Sequence, residues 1–385
     1  MKTIYIEGLG LIDGHFSGIG QYILGTLRGI DEILEEKKRA GEKVPTVKVI
    51  IPYDEIRKFR KFKFKHIGVK RFPLPFRIMA GLHHRNKLPP IDLWCGKGFY
   101  IFTRFAAMPL AMSKYAVIVY DISFETFRQY SDEGNAIFLS GRTKSAIADA
   151  QKVITISQNA KQEIIDHYKV DPKKILVSTP AADQRYFYRR SEQEIARAKE
   201  KYGITGDYIL SLSNLEPRKN LDGLVDAYCD LPENLRSSTG LLLVGVNGWK
   251  IENLFQKIIG KVENGYNIMR PSKYVHDDDK PAIISGAKVL VYPSHYEGFG
   301  MPPLEALACG TPVVCSDNSS LPEVVGKCAL LVKSTDTNAI RDGIEKTLSS
   351  STIPKKVLTE GPKQAENFSW EHSAEVYFEL FEEYA

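Results

Sequence analysis

The stretch Pro293-Ser-His-Tyr-Glu-Gly-Phe-Gly-Met-Pro-Pro-Leu-Glu-Ala-Leu-Ala-Cys-Gly-Thr-Pro-Val-Val314 restricts the fold of this chain more than any other. The apolar run Ala287–Tyr292 before it reads as a buried strand. Pro302 and Pro303 suit the first turn of a helix, and Gly310 suits the residue just past its end. The unit is therefore strand, glycine loop, helix. Backbone N–H groups at such a helix start favour an anionic oxygen, usually a phosphate. Glu297 in the loop and Glu305 in the helix add acceptors for hydroxyl groups. Together these describe a nucleotide-sugar pocket. Two glutamates at this spacing also occur on ordinary solvated faces; Gly298 and Gly300, which let a backbone approach a ligand closely, favour the pocket.

The rest of the chain repeats the same grammar. With 385 residues, two α/β domains are the default expectation. Strand-like runs at Thr3–Glu7, Val47–Pro52, Ala116–Tyr120 and Val153–Ile156 alternate with helical stretches, the first from Gly18 to about Glu36. A second set lies at Tyr208–Leu212, Leu241–Gly245, Ala287–Tyr292 and Thr311–Cys315. Such alternation predicts parallel sheets wound with helices. The seam is expected near 183–190, giving domains at 1–184 and 185–366 and a terminal helix over 367–385 with Ser369 as its cap.

A second motif, Asn214-Leu-Glu-Pro-Arg-Lys-Asn220, follows the strand at Tyr208–Leu212 and precedes a helix near Leu221–Tyr228. Arg218 and Lys219 thus fall in a strand-to-helix loop. Arginine offers a planar fork for phosphate oxygens and lysine a point charge, although adjacent basic residues are often ordinary surface.

Taken together, 293–314, Ser319-Ser-Leu-Pro-Glu323, Ala329-Leu-Leu-Val332 and the 214–220 string resemble the donor-site signature of retaining family-4 glycosyltransferases of the GT-B fold. The resemblance implies two Rossmann-like, doubly wound domains facing an interdomain cleft, with the last helix crossing back onto the first domain. It assigns Arg218 and Lys219 to a departing diphosphate, with Ser213 and Asn214 in the same loop. Ser213 stands where many relatives carry glycine. Glu297 would bind hydroxyls of the donor sugar beside the backbone of Gly298, Phe299, Gly300 and Met301. Glu305 would accept the ribose hydroxyls. Tyr274 and Val275 match the loop lying against the base, or simply end a strand. Gly18 and Gly20 would belong to the first-domain loop near the donor phosphate; His15 close by is either a base or a loop histidine with no catalytic part. That Gly-x-Gly turn lacks the third glycine of a dinucleotide fold. Asp121, at a strand's carboxyl end, is either a contact to sugar or acceptor or a structural cap. Relatives show His-Asp there, whereas this chain has Tyr120.

Charge distribution adds one more reading. Lys and Arg number 52 against 47 Asp and Glu, yet from Ile56 to Ile91 no acidic residue occurs. Arg57, Lys58, Arg60, Lys61, Lys63, Lys65, Lys70 and Arg71 are interleaved there with Phe59, Phe62, Phe64, Phe72 and Phe76. Either this is a solvated loop, or its cations attract anionic lipid headgroups while its phenylalanines insert. Nucleic acid is disfavoured because nothing else in the chain matches such a site. The five cysteines form no close-spaced ligand pairs, which fits buried thiols in a reducing compartment. The amino end runs directly into a strand, and no apolar run reaches spanning length, so a cytoplasmic protein, peripheral on the membrane's cytoplasmic face, is expected.

These readings converge on a metal-independent, retaining transferase without a cofactor. It would move a sugar from GDP-mannose, or next a UDP-sugar, to a glycan or lipid-linked saccharide in polysaccharide synthesis. A nucleotide-sugar epimerase, a sugar phosphorylase and a non-catalytic nucleotide-sugar-binding module are the alternatives.

Overall fold

The computed structural model describes residues 3–12, 18–130 and 133–384, without the side chain of Asn135. It divides into two units. The first comprises 1–126, 133–180 and 369–385, and the second 127–132 and 181–368. The expected seam at 183–190 therefore falls inside the second unit, and a short piece of the first half, 127–132, belongs there too.

Among the described residues the first unit is built on seven strands: β1 (Thr3–Glu7), β2 (Thr46–Pro52), β3 (Gly68–Phe72), β4 (Gly98–Phe102), β5 (Lys114–Ile118), β6 (Lys152–Thr155) and β7 (Ile175–Val177). They pair in the order β3-β2-β1-β4-β5-β6-β7, every pair parallel. All five residues of β4 are buried, as expected of a parallel strand covered on both faces. β3 was not foreseen. It runs through the basic segment 56–91, flanked by helices Ile56–Arg60 and Phe76–His84. Lys70 and Arg71 sit on this edge strand, where charge discourages pairing with another chain.

This placement removes two of the five phenylalanines of 56–91 from any lipid contact. Phe72 and Phe59 are buried. Phe62 and Phe64, partly buried like Phe76, pack with Phe59 and with each other at centroid distances of 5.6–6.4 Å.

The terminal helix Trp370–Tyr384 belongs to the first unit and docks on helix Gly18–Arg39. Ser369 caps it, its hydroxyl accepting the His372 amide at 3.0 Å. The contact depends on two glycines. A Cβ on Gly25 would lie 2.3 Å from the Trp370 indole, and one on Gly29 would lie 2.3 Å from the Trp370 carbonyl oxygen. Beneath them, the Tyr22 hydroxyl donates to Ser178 at 2.9 Å and lies 3.1 Å from the Tyr377 hydroxyl. Ser178 in turn donates to the Ser373 carbonyl, closing a buried polar knot.

The described residues of the second unit form six strands: β8 (Asp207–Leu212), β9 (Thr239–Val244), β10 (Ile268–Met269), β11 (Val289–Tyr292), β12 (Val313–Ser316) and β13 (Leu330–Val332). Their order is β10-β9-β8-β11-β12-β13, again wholly parallel. In each sheet the winding reverses at one place, between β1 and β4 in the first and between β8 and β11 in the second. Open parallel sheets bind ligands beyond the carboxyl ends of the strands flanking such a reversal. Asp277–Asp279 precedes helix Lys280–Ser285, but the Asp279 side chain does not cap it. Its carboxylate instead accepts from Lys201 and Tyr202, each at 2.6 Å.

Replacing a helical glycine with alanine normally stabilises by about 1 kcal/mol. At Gly29 the sign should reverse, because the added methyl meets backbone; Gly29→Ala is expected to cost about 1–3 kcal/mol and lower Tm. Gly81→Ala, with nothing within 4 Å of its Cβ, is the control and should leave Tm level or raise it. Equal behaviour of the two variants in thermal melts would disprove the close-contact account.

Candidate functional site

The loop 213–220 leaves the carboxyl end of β8, and the loop 293–300 leaves that of β11. The two are stitched together. The His295 amide donates to the Arg218 carbonyl at 2.8 Å. The segment after β12 supports both: Ser319 Oγ accepts the Glu297 amide at 3.0 Å, and Ser320 Oγ donates to the carbonyls of Glu297 and Phe299. Asn220 holds a left-handed backbone at φ 53° and donates its side-chain amide to the Ser334 carbonyl. Gly300, at φ 113°, makes the turn into helix Met301–Ala308. A Cβ there would strike Leu321, so neither the backbone angle nor the space admits another residue comfortably.

These loops bring four charges into a buried cluster. Lys219 donates to Glu297 Oε1 at 2.6 Å and to the Tyr292 hydroxyl at 2.8 Å. Arg218 pairs with Glu297 Oε2 at 3.1 Å, with Glu216 at 2.7 Å, and donates to the Tyr296 carbonyl at 2.6 Å. Burial alone would push the Glu297 carboxyl up. The Arg218 and Lys219 cations outweigh it and hold the pKa at about 2. Burial and the neighbouring Arg218 charge draw the Lys219 ammonium down, with Glu297 opposing them. Two cations against two carboxylates leave the cluster formally neutral, which makes its burial tolerable.

Of the residues singled out from sequence, Arg218, Lys219 and Glu297 thus meet directly. Gly298, Phe299 and Gly300 are buried in the same loop. Ser213 donates its amide to the Val244 carbonyl, and its own carbonyl lies against Gly245, where a Cβ would come within 1.8 Å. Asn214 is exposed. The helix start offers fewer anion donors than expected. Pro302 and Pro303 follow Met301 without N–H groups, and the Leu304 amide already bonds the Gly300 carbonyl.

Glu305 is buried on that helix, and no side-chain hydrogen bond to it is found among the described residues. Burial raises its carboxyl to about 7, with Lys280 countering and Asp277 adding to the shift. Lys280 itself pairs with Asp277 at 2.6 Å. Tyr274 is 58% exposed and meets His276 edge-on, while Val275 is buried. They sit in the irregular stretch after β10 and do not end a strand.

Sequence reasoning missed Glu216 and Tyr292, further partners of the two cations. Glu216 lies inside the quoted string two residues before Arg218, the one signal available. It also missed a polar pair in the first unit. Glu7, buried at the end of β1, accepts the Thr103 amide and the Arg104 Nε–H, each at 2.9 Å. Arg104 follows β4, so this pair occupies the reversal of the first sheet.

Other first-unit residues behave differently. Tyr120 is buried, donates its hydroxyl to the Thr103 carbonyl and packs against Tyr22 and Phe105. Its hydroxyl is thus committed inside the fold. Asp121 Oδ1 accepts the Ser123 amide at 2.9 Å, a local turn at the start of helix Ser123–Thr126. Gly18 and Gly20 lie in the opening turn of helix Gly18–Arg39 rather than in a loop. His15 lies outside the described residues.

The family described as Glycosyl transferases group 1 matches residues 192–364. O-antigen chain mannosyltransferase B of Escherichia coli is 33% identical over 310 residues, 79% of each chain. The serotype-specific mannosyltransferase WbdA of the same organism is 31% identical over 60% of this chain, a match spanning 29% of its own length. Among solved structures, Anabaena HepE in complex with UDP and glucose superposes over the whole of both chains, with a TM-score of 0.71 at 15% identity. A sucrose-phosphate synthase from Thermosynechococcus elongatus covers 100% of this chain and 99% of its own, with a TM-score of 0.72 at 17% identity. The chain belongs to the group 1 glycosyltransferases, with the GT-B fold, on their mannosyltransferase branch.

Glu305 gives a pH signature. Its folded pKa near 7 exceeds the ordinary 4.5, so the folded state holds the proton more tightly. The stabilisation is present in full below 4.5 and is lost as pH rises to about 7, roughly 3 kcal/mol in all. Glu305→Gln, which cannot ionise, should match wild type near pH 4 and melt higher at pH 8. Parallel Tm profiles across that range would refute the assignment.

Proposed function

We propose that this chain transfers a sugar from a nucleotide sugar, with GDP-mannose as the first candidate donor and a UDP-sugar the next, retaining the anomeric configuration. One observation carries the reading: Arg218, Lys219 and Glu297 converge at the β8/β11 reversal, where an α/β sheet binds its ligand. The mannosyltransferase relatives support mannose as the sugar, and the name of the first points to O-antigen chains; a glycan or lipid-linked saccharide in polysaccharide synthesis is the acceptor class.

The chemistry follows from charge. A glycosyl–phosphate bond breaks through an oxocarbenium-like state as negative charge gathers on the leaving diphosphate. Arg218 and Lys219, fixed before the reaction by Glu216, Glu297 and Tyr292, meet that charge without reorganising. Glu297, kept ionised by the same cations, orients the sugar through its hydroxyls. Glu305 takes the ribose hydroxyls, and Tyr274 and Val275 the base. Retention proceeds by attack on the face the diphosphate leaves, a leaving-group oxygen receiving the acceptor's proton. Glu297 is not a nucleophile in this scheme. The two cations supply the charge that a divalent metal supplies elsewhere, so no metal or cofactor takes part.

The basic surface of 56–91 is proposed to hold the enzyme against anionic membrane by charge. The exposed Ile78, Leu93 and Trp94 are the apolar residues available beside it. No helix among the described residues is long and apolar enough to cross a membrane.

Arg218→Ala should lower kcat by two to three decades, about 3–4 kcal/mol, with the circular dichroism spectrum unchanged. Lys219→Ala should do the same at a lower Tm, because it strands Glu297 in the interior. Wild-type turnover in both variants would end the diphosphate assignment. Transfer should persist in EDTA. Consumption of donor without acceptor would indicate an epimerase, and dependence on inorganic phosphate a phosphorylase.

Vesicles containing phosphatidylserine should float the protein at low salt and release it at about 0.5 M, where screening is nearly complete. Flotation unaffected by salt, or none at low salt, contradicts the electrostatic contact.

A further inference from the structure

The loop 293–300 carries Glu297 without regular secondary structure of its own. Its inner side is held by Arg218, Ser319 and Ser320, as described. Its other side is met by the short stretch 127–130, which follows Thr126 and belongs to the second unit. Phe127 lies against Tyr296 with ring centroids 4.9 Å apart. Tyr130 stacks on His295 at 4.9 Å with the planes 12° apart. Phe127 and Tyr130 also face each other at 6.4 Å, so the four rings form one continuous group. The backbone of the segment is fixed as well, since the Trp249 indole N–H donates to the Tyr130 carbonyl at 3.0 Å.

The covered residues are the ones the charge cluster depends on. Tyr296 is 1% exposed, and its carbonyl accepts the Arg218 guanidinium at 2.6 Å. His295 binds the Arg218 carbonyl through its amide and approaches Ser334 Oγ through its ring. Glu297 is the next residue along. A shift of the 295–296 backbone therefore moves the Glu297 carboxylate and one Arg218 contact together. Charge-assisted hydrogen bonds depend steeply on distance and angle, so a small displacement is enough to misplace both. Rings stacked from outside restrain such a shift by packing, with no charge of their own.

We propose that Phe127 and Tyr130 are positioning residues for Glu297, clamping the 293–300 loop so that its carboxylate stays between Arg218 and Lys219. The proposal rests on the glycosyl-transfer reading for its effect on turnover, but its structural half does not. Neither ring touches the reacting atoms in this account. Tyr130 acts through His295, and Phe127 acts through Tyr296.

The test uses the full chain and begins without ligand. In amide hydrogen exchange, Phe127→Ala and Tyr130→Ala should each speed exchange in peptides covering 293–300 by tenfold or more. Peptides covering β8 should be unchanged, which separates local loosening from general unfolding. Tyr130→Phe keeps the ring and should behave as wild type. With the nucleotide sugar that the wild-type enzyme accepts, both alanine variants should lose at least fivefold in kcat, while binding of the corresponding nucleoside diphosphate in calorimetry stays within twofold. Unchanged exchange across 293–300 overturns the proposal. So does faster exchange with wild-type kcat, and so does equal loss in Tyr130→Phe. If the wild type transfers from no nucleotide sugar, the functional reading fails instead, and the exchange data alone decide the clamp.

Discussion

A carboxylate caught between two cations organises this molecule's second unit. Glu297 meets Arg218 with one oxygen and Lys219 with the other; Glu297 comes from a loop, and the two cations come from the single 3-10 turn Pro217–Lys219. Removing an ion from water costs several kcal/mol even after relaxation, so three such groups persist only if each finds its partners. That requirement explains the density of support around them. Glu216 completes Arg218, Tyr292 completes Lys219, and the serines at 319 and 320 fix the backbone of Glu297. The strands contribute by ending where they do.

Electrostatic preorganisation has a structural consequence here. In the proposed transfer reaction, cations already held in place would not need to be gathered as charge develops on the leaving group. The same arrangement keeps Glu297 ionised at any ordinary pH, whereas Glu305, one helix turn beyond the loop and lacking such partners, is pushed up towards neutrality. Two buried glutamates eight residues apart thus sit in opposite electrostatic settings. Spacing placed them near each other; neighbours decided their chemistry.

What the sequence made legible was whatever is written in contiguous residues. The strand, glycine loop and helix around 287–310 and the string 214–220 each carry their geometry locally, and both lie where expected. The strands read from the sequence were found to within a few residues. β3, β4, β7, β10 and β13 were not among them, because two to five residues carry too little periodicity to register, even in β4 where all five are apolar or glycine. The basic stretch 56–91 misled for a related reason: its phenylalanines are spaced as if for a surface, and only tertiary packing shows Phe59 and Phe72 turned inward. Glu7 and Arg104 meet across 97 positions, and the rings of Phe127 and Tyr130 reach residues far later in the chain. No local pattern encodes such pairs. Tyr120 shows the converse limit, since the departure from His was visible but its destination, a hydrogen bond to Thr103, was not.

The two sheets also solve one problem twice. At each winding reversal, the loops that follow the two central strands diverge to opposite faces, leaving polar backbone that neither face covers. In the second unit that gap holds Arg218, Lys219 and Glu297. In the first it holds Glu7 and Arg104, the Thr103 amide donating to the Glu7 carboxylate and the Thr103 hydroxyl to the Glu7 backbone carbonyl. A buried carboxylate beside a cation is costly and would be replaced readily by apolar side chains if packing were its only duty. That both units keep one at the equivalent place in their topology argues that the reversal, not the individual strand or helix, is where this fold stores its chemistry.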